Sequence, residues 1–189
     1  MGNAAAVEGG INTRIQRLYV FSDKDKMALE KTFHAMGPDE HGFVTKQVVL
    51  DNVPVELTLS PLCRPALDVI VNRRIKKLGA RDADYANKVT EHDYLMFLSL
   101  FSAREVAARK IEVMFEVFDG NGDGFVDKDE LIVMWKRLQG AAFTDDQYLA
   151  RAEAVMAQAD ADADGRLSIR EFASMVSGSD VLAYMTAFA

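Results

Sequence analysis

Two twelve-residue stretches, Asp119 to Glu130 and Asp160 to Glu171, constrain this chain more than any other feature of its 189 residues. Each begins with Asp, sets oxygen-bearing groups at alternate positions, has glycine at position six and ends on Glu. Both are framed by apolar residues at helical spacing. Ile111, Met114, Phe115 and Phe118 precede the first on one helix face, and Leu131, Met134, Trp135 and Leu138 repeat the spacing after it. Before the second, Thr144 and Gln147 make a capping-box start to a helix carrying Tyr148, Ala152, Val155 and Met156. After it, Phe172, Met175 and Val176 lie on a helix that Gly178 can end in the left-handed conformation. The unit helix, loop, helix therefore occurs twice within residues 102–178.

Alternating oxygens around a sharp turn suit a hard cation that takes six to eight oxygen ligands, and the pattern is that of an EF-hand Ca²⁺ loop. In the first loop Asp119, Asn121 and Asp123 hold positions one, three and five. Phe125 offers its carbonyl, Asp127 acts through water, and Glu130 closes the site with both oxygens. In the second, the same roles fall to Asp160, Asp162, Asp164, Arg166 by its carbonyl, Ser168 and Glu171. A bidentate Glu at position twelve suits Ca²⁺ better than a catalytic Mg²⁺ cluster, and no adjacent nucleophile or general base accompanies the carboxylates. Two Ca²⁺ sites and no enzyme are expected.

The first half reads as a worn copy of the same plan, with helices predicted around Lys24 to Met36, Thr45 to Asn52, Pro65 to Leu78 and Glu91 to Ser102. Val44 and Val89 sit eight positions into its loops, as Val126 and Leu167 do later, which predicts a short β bridge between the loops of each pair. The ligands have gone. Aligned on Gly42, the first loop has Gly37 at position one, Asp39 at three, His41 at five and Val48 at twelve. The second, Asp82 to Asp93, keeps Asp82, Asp84 and Asp93 but has Ala86 at position five and Asn87 in place of the glycine. Neither is expected to hold Ca²⁺. The chain divides on this reading into an N-terminal segment (1–22), an N-terminal lobe with two degenerate hands (23–101), a C-terminal lobe with two Ca²⁺-binding hands (102–178) and a tail (179–189). The fold class is all-α, a four-EF-hand, calmodulin-like arrangement.

A formal net charge of −7 disfavours a nucleic-acid partner, and none is expected. The basic run Arg73, Arg74, Lys76 and Lys77 is most simply a solvated helix face. The single cysteine, Cys63, excludes an internal disulfide, and with no signal peptide or membrane-length apolar run the expected compartment is the cytoplasm. His34, His41 and His92 are dispersed, form no zinc site and are expected at the surface. Met114, Met134, Met156 and Met175 can fill the core or line a partner groove. The opening Met1-Gly2-Asn3 presents Gly2 for N-myristoylation, although Ala6 stands where Ser or Thr is usual. Ile11, Ile15, Leu18 and Tyr19 add an apolar face that would support partial membrane association.

Taken together these residues resemble calcineurin B. Besides Met1-Gly2-Asn3 and the last two loops, the likeness rests on Val53-Pro54-Val55-Glu56-Leu57, on Ser60-Pro61-Leu62 and on Tyr94 to Ser102. The resemblance implies a Ca²⁺ sensor in calcium signalling, a regulatory subunit clamping an amphipathic helix of a protein phosphatase catalytic subunit of the calcineurin A kind. The family usually fills all four loops, whereas two are expected here. Loss of the first two sites and the tail with Val181, Leu182, Tyr184, Met185 and Phe188 are also similar to the calcium- and integrin-binding proteins, which implies instead an adaptor for a receptor or channel tail. A simple Ca²⁺ buffer is the third alternative.

Overall fold

The computed structural model describes residues 20–79, 83–139, 142–177 and 185, excepting the side chains of Ala83 and Asp84. Gly2, the Ile11 to Tyr19 face, Asp82, Gly178 and the tail apart from Met185 lie outside the described residues. The chain is helical: α1 (Asp23–Ala35), α2 (Lys46–Asn52), a single turn α3 (Val55–Thr58), α4 (Cys63–Leu78), α5 (Glu91–Leu100), α6 (Ala107–Phe118), α7 (Lys128–Gln139), α8 (Asp145–Ala159) and α9 (Ile169–Ser177). A 3₁₀ segment covers Ala83–Asn87.

Short polar side chains set the helix starts by accepting from otherwise unpaired N–H groups of the first turn. Ser22 caps α1 and Thr45 caps α2. Thr90 with Asp93, and Thr144 with Gln147, form reciprocal capping boxes on α5 and α8, the latter as the sequence predicts. The 16-residue α4 stops where Gly79 takes φ +64°, a left-handed cap that costs little only at glycine.

Four two-residue strands make two antiparallel pairs. β1 (Val44–Thr45) pairs with β2 (Lys88–Val89), and β3 (Val126–Asp127) with β4 (Arg166–Leu167). The registers are Val44 opposite Val89 and Val126 opposite Leu167, the four position-eight residues expected to bridge. All four side chains are buried, so each bridge pins two loops together while anchoring them in the core. Each pair also joins an aromatic residue to a basic one at position seven. The Lys88 ammonium lies 5.4 Å from the Phe43 ring centroid, and the Arg166 guanidinium 4.0 Å from that of Phe125.

The two halves share one contiguous apolar core. In the first, Phe33 packs on Tyr94 at 5.7 Å between ring centroids. In the second, Phe172 meets Phe115 at 5.5 Å and Phe118 at 5.2 Å, both edge to face. Between them, α6 buries Val113 and Val117 as well as its predicted Ile111, Met114, Phe115 and Phe118 face, because α4 packs against it too. Arg73 of α4 clasps Glu116 of α6 with Nε 3.0 Å from both carboxylate oxygens and Nη2 2.6 Å from Oε1.

The basic run is thus not a simple solvated face. Arg73 ties the halves together, and the Arg74 side chain, 14 % exposed, pairs with Asp93. The sequence reading failed here because a charged side chain on a helix can turn inward once a carboxylate is buried beside it. Cys63 is buried as expected, and desolvation pushes its thiol up to about 11, leaving it inert. His34, His41 and His92 are exposed. Met114 and Met134 are core residues, whereas Met156 and Met175 are only half-buried.

Candidate metal centre

The loop between α6 and α7 is folded by its own carboxylates. Asp119 caps the end of α6 and accepts from three successive N–H groups: Gly122 (2.8 Å) and Asp123 (3.1 Å) on Oδ1, Gly124 (3.0 Å) on Oδ2. Asn121 Oδ1 accepts from Asp123 N–H at 2.7 Å, and Asp123 Oδ1 from Phe125 N–H at 2.9 Å. Gly124 holds φ +89°, the turn that aims the position-one, -three and -five side chains into one hollow. Glu130 reaches back from the first turn of α7. Its Oε1 accepts from Asn121 N–H and its Oε2 from Asp127 N–H, both at 3.1 Å, while Asp127 Oδ1 caps Glu130 N–H at 2.8 Å.

The loop between α8 and α9 repeats this almost bond for bond. Asp160 accepts from Asp164 N–H at 3.2 Å and Gly165 N–H at 2.9 Å, and Asp164 Oδ1 from Arg166 N–H at 2.8 Å. Glu171 Oε1 accepts from Ala161 N–H at 2.8 Å; its Oε2 accepts from Ser168 N–H at 2.8 Å and the Ser168 hydroxyl at 2.7 Å. One carboxylate oxygen from each of Asp160, Asp162 and Asp164 falls within 4.8 Å of the others. Crowded like charges and desolvation matter there. Asp162's carboxyl is held above its ordinary value, first by desolvation and next by the Asp164 carboxylate. Glu171 goes the other way: the Ser168 hydroxyl, then the Ser168 and Ala161 N–H groups, bring it down to about 2, so it stays ionised.

In each C-terminal loop the position-one, -three and -five side chains and the position-twelve Glu are tied to the loop's own N–H groups, and in the second loop three carboxylates also draw together. The donor set is all oxygen, from carboxylates, an amide, a hydroxyl and backbone carbonyls, which fits a hard divalent cation and offers nothing to a thiol- or imidazole-seeking metal. Arg166 adds a feature the sequence did not flag. Its guanidinium lies 3.6 Å from Asp164 and 4.0 Å from Asp123, so one positive charge faces the position-five carboxylates of both loops.

The loops of the first half are built differently. Asp39 accepts from His41 and Phe43 N–H groups on one oxygen, each at 2.9 Å, and folds its loop with no partner from position twelve, which is Val48. In the second loop a 3₁₀ turn covers Ala83–Asn87. Asp93, at position twelve and 2 % exposed, accepts from Arg74 Nε at 2.7 Å, and Arg74 Nη2 donates to the Lys88 carbonyl at 2.5 Å. Arg74 is the residue of consequence that sequence reasoning missed. The available signal was a short Asp kept at position twelve of a ligand-poor loop, one helix after a basic run.

Residues 108–177 match the family model for an EF-hand domain pair. Over 166 residues, 88 % of this chain, it is 29 % identical to the calcineurin B protein of Naegleria gruberi, covering 86 % of that protein. It is 25 % identical to calcineurin B of Schizosaccharomyces pombe over the same length, 88 % of that protein. With the type 2 calcineurin B of Dictyostelium discoideum it shares 24 % identity over 165 residues, 87 % of this chain and 83 % of the relative.

Proposed function

We propose that this calcineurin B-like chain is a Ca²⁺-responsive regulatory subunit with two ion sites, and that it holds an amphipathic helix of a phosphatase catalytic subunit of the calcineurin A kind. The observation that carries the ion sites is the closure of both C-terminal loops by Glu130 and Glu171, with three carboxylates drawn together in the second. Asp119, Asn121, Asp123, Glu130 and the Phe125 carbonyl would hold one ion, with Asp127 acting through water. Asp160, Asp162, Asp164, Glu171 and the Arg166 carbonyl would hold the other, assisted by Ser168. The lobes would be residues 23–101 and 102–178.

Ca²⁺ supplies a charge that relieves the repulsion among these carboxylates, and the protein's part is to convert that into helix position. Glu130 lies in the first turn of α7 and Glu171 in that of α9, so drawing either carboxylate inward moves its helix. The N-terminal half offers a groove of about 630 Å³ whose lining includes Phe21, Leu29, Val53, Pro54, Tyr94 and Leu98, the apolar surface an amphipathic helix needs. The chain itself contributes no catalytic residue. No described helix is long and apolar enough to cross a membrane, and any membrane contact would come through Gly2 acylation.

Calorimetric titration should give two Ca²⁺ per chain, and the Ca²⁺-loaded protein should co-purify with a phosphatase catalytic chain of the calcineurin A type. One ion, four ions, or consistent absence of that catalytic chain would overturn the corresponding part of the reading. One observation favours an adaptor whose tail packs back on its own chain. Met185 of the tail is 1 % exposed, and its carbonyl accepts from the buried Lys110 ammonium at 2.9 Å. If the tail competes with partners, deleting residues 179–189 raises partner affinity; unchanged affinity rules that mechanism out.

A further inference from the structure

In an EF-hand loop, the position-seven carbonyl and the position-twelve carboxylate both face the bound cation. In the loop Asp82 to Asp93 these are the Lys88 carbonyl and the Asp93 carboxylate, and one guanidinium binds them both. Arg74 Nη2 donates to Lys88 O at 2.5 Å, and Arg74 Nε donates to Asp93 Oδ2 at 2.7 Å. The group enters from α4, outside the loop, with its carbon 5.6 Å from the centroid of Phe43, the position-seven residue of the neighbouring loop.

We propose that the second loop is a latent divalent-cation site whose cation position is filled by the Arg74 guanidinium, so that the N-terminal pair keeps its bridged form without Ca²⁺. The chemistry supports an internal cation over an ordinary ion pair in three ways. Asp93 is 2 % exposed and the Arg74 side chain 14 %, so an unpaired charge on either would be heavily penalised. The same Asp93 oxygen also accepts from Thr90 N–H at 3.0 Å in the α5 capping box, so the guanidinium fixes the start of the exiting helix as a loop metal would. Finally, the carbonyl it takes belongs to Lys88 in β2, beside Val89, which pairs with Val44. A planar fork can span a carbonyl and a carboxylate at once, and an ammonium cannot do so with the same geometry.

This inference concerns a loop outside the two proposed ion sites and does not require the phosphatase reading. The test uses the full chain carrying Glu130→Gln and Glu171→Gln, with amide exchange followed separately at Val44 and Val89 and at Val126 and Leu167. In chelator, Arg74→Met should speed exchange at Val44 and Val89 by about tenfold to a hundredfold, the loss of a charged hydrogen-bond pair. Millimolar Ca²⁺ should then restore slow exchange there in Arg74→Met and change nothing there while Arg74 is present. Arg74→Lys should fall between the two in chelator, and it serves alone if the Met variant does not fold. The proposal is overturned by unaltered exchange in Arg74→Met, by a loss that Ca²⁺ does not reverse, by a Lys variant as protected as the Arg protein, or by Ca²⁺ acting at Val89 with Arg74 in place. A Ca²⁺ response at Val126 and Leu167 in this background would instead count against the proposed ion sites.

Discussion

The first and second halves share a scaffold and part at position twelve. In the C-terminal loops a Glu carboxylate spans from the loop's second or third N–H to its ninth, holding a ring of acidic groups that the single Arg166 guanidinium only partly offsets. In the N-terminal loops one hand has Val48 there and relies on Asp39 alone, and the other has a shorter Asp that a guanidinium reaches. The β bridges, the position-seven cation–ring pairs and the helix caps survive in both halves. An EF-hand's architecture is thus separable from its ion site: bridge and caps keep the hand, while an excess of converging carboxylate creates the demand for metal.

The harshest test of that contrast is Glu130→Gln with Glu171→Gln. Each substitution removes one closing charge, a loss of about 3 kcal/mol or more by comparison with breaking other desolvated charge pairs, so Ca²⁺ affinity should drop by over about a hundredfold at each loop. Titration calorimetry reads this directly. Residual stoichiometric binding would place an ion in the first half and break the comparison. Next in size is Phe172→Ala, which empties the contact between α9 and both Phe115 and Phe118. A fully buried Phe lost to Ala costs about 3–5 kcal/mol. Urea unfolding followed at Trp135 should show this as one earlier transition, because the core is continuous between halves; two separated transitions would show them to be energetically independent.

Acid sharpens the comparison within a single loop. Glu171 titrates at about 2 in the folded loop against an ordinary 4.5, so its bonds contribute stability that is fully present above about pH 4.5 and lost as pH falls through about 2. In the Ca²⁺-free protein the Ser168 amide and Glu171 side-chain resonances should report that window. Ser168→Ala removes the largest cause and should raise the midpoint; an unmoved midpoint would mean the backbone N–H groups alone hold the carboxylate.

What the sequence disclosed follows from how local each signal is. The capping box at Thr144 and the four bridge residues are set by neighbours within a few positions, and each is where the pattern implies. The pairing of α4 with α6 depends on residues about forty positions apart, Arg73 and Glu116 among them, and no short-range periodicity encodes it. Arg74 misled for the same reason: its partners Lys88 and Asp93 lie on the next helix–loop junction, and a charged residue beside three others in a helix reads as solvated. Lys110 is a similar case, a cation buried within an apolar helix face because its ammonium meets the Met185 carbonyl.

The smallest effect separates the two C-terminal loops from each other. At position four the first has Gly122 with φ +73°, and the second has Ala163 with φ +58°. A side chain in that left-handed region is strained by about 1–2 kcal/mol, partly offset because glycine gives the unfolded chain more freedom. Ala163→Gly should therefore stabilise the Ca²⁺-free protein by up to about 1 kcal/mol, and Gly122→Ala should destabilise it by a similar amount. The second arm isolates the backbone, since a Cβ at Gly122 would meet no atom within 4 Å. Thermal unfolding in chelator measures both. Opposite and comparable shifts would show the loops to be equivalent apart from this strain, whereas a shift only in Gly122→Ala would mean the Ala163 loop has already relaxed around its side chain.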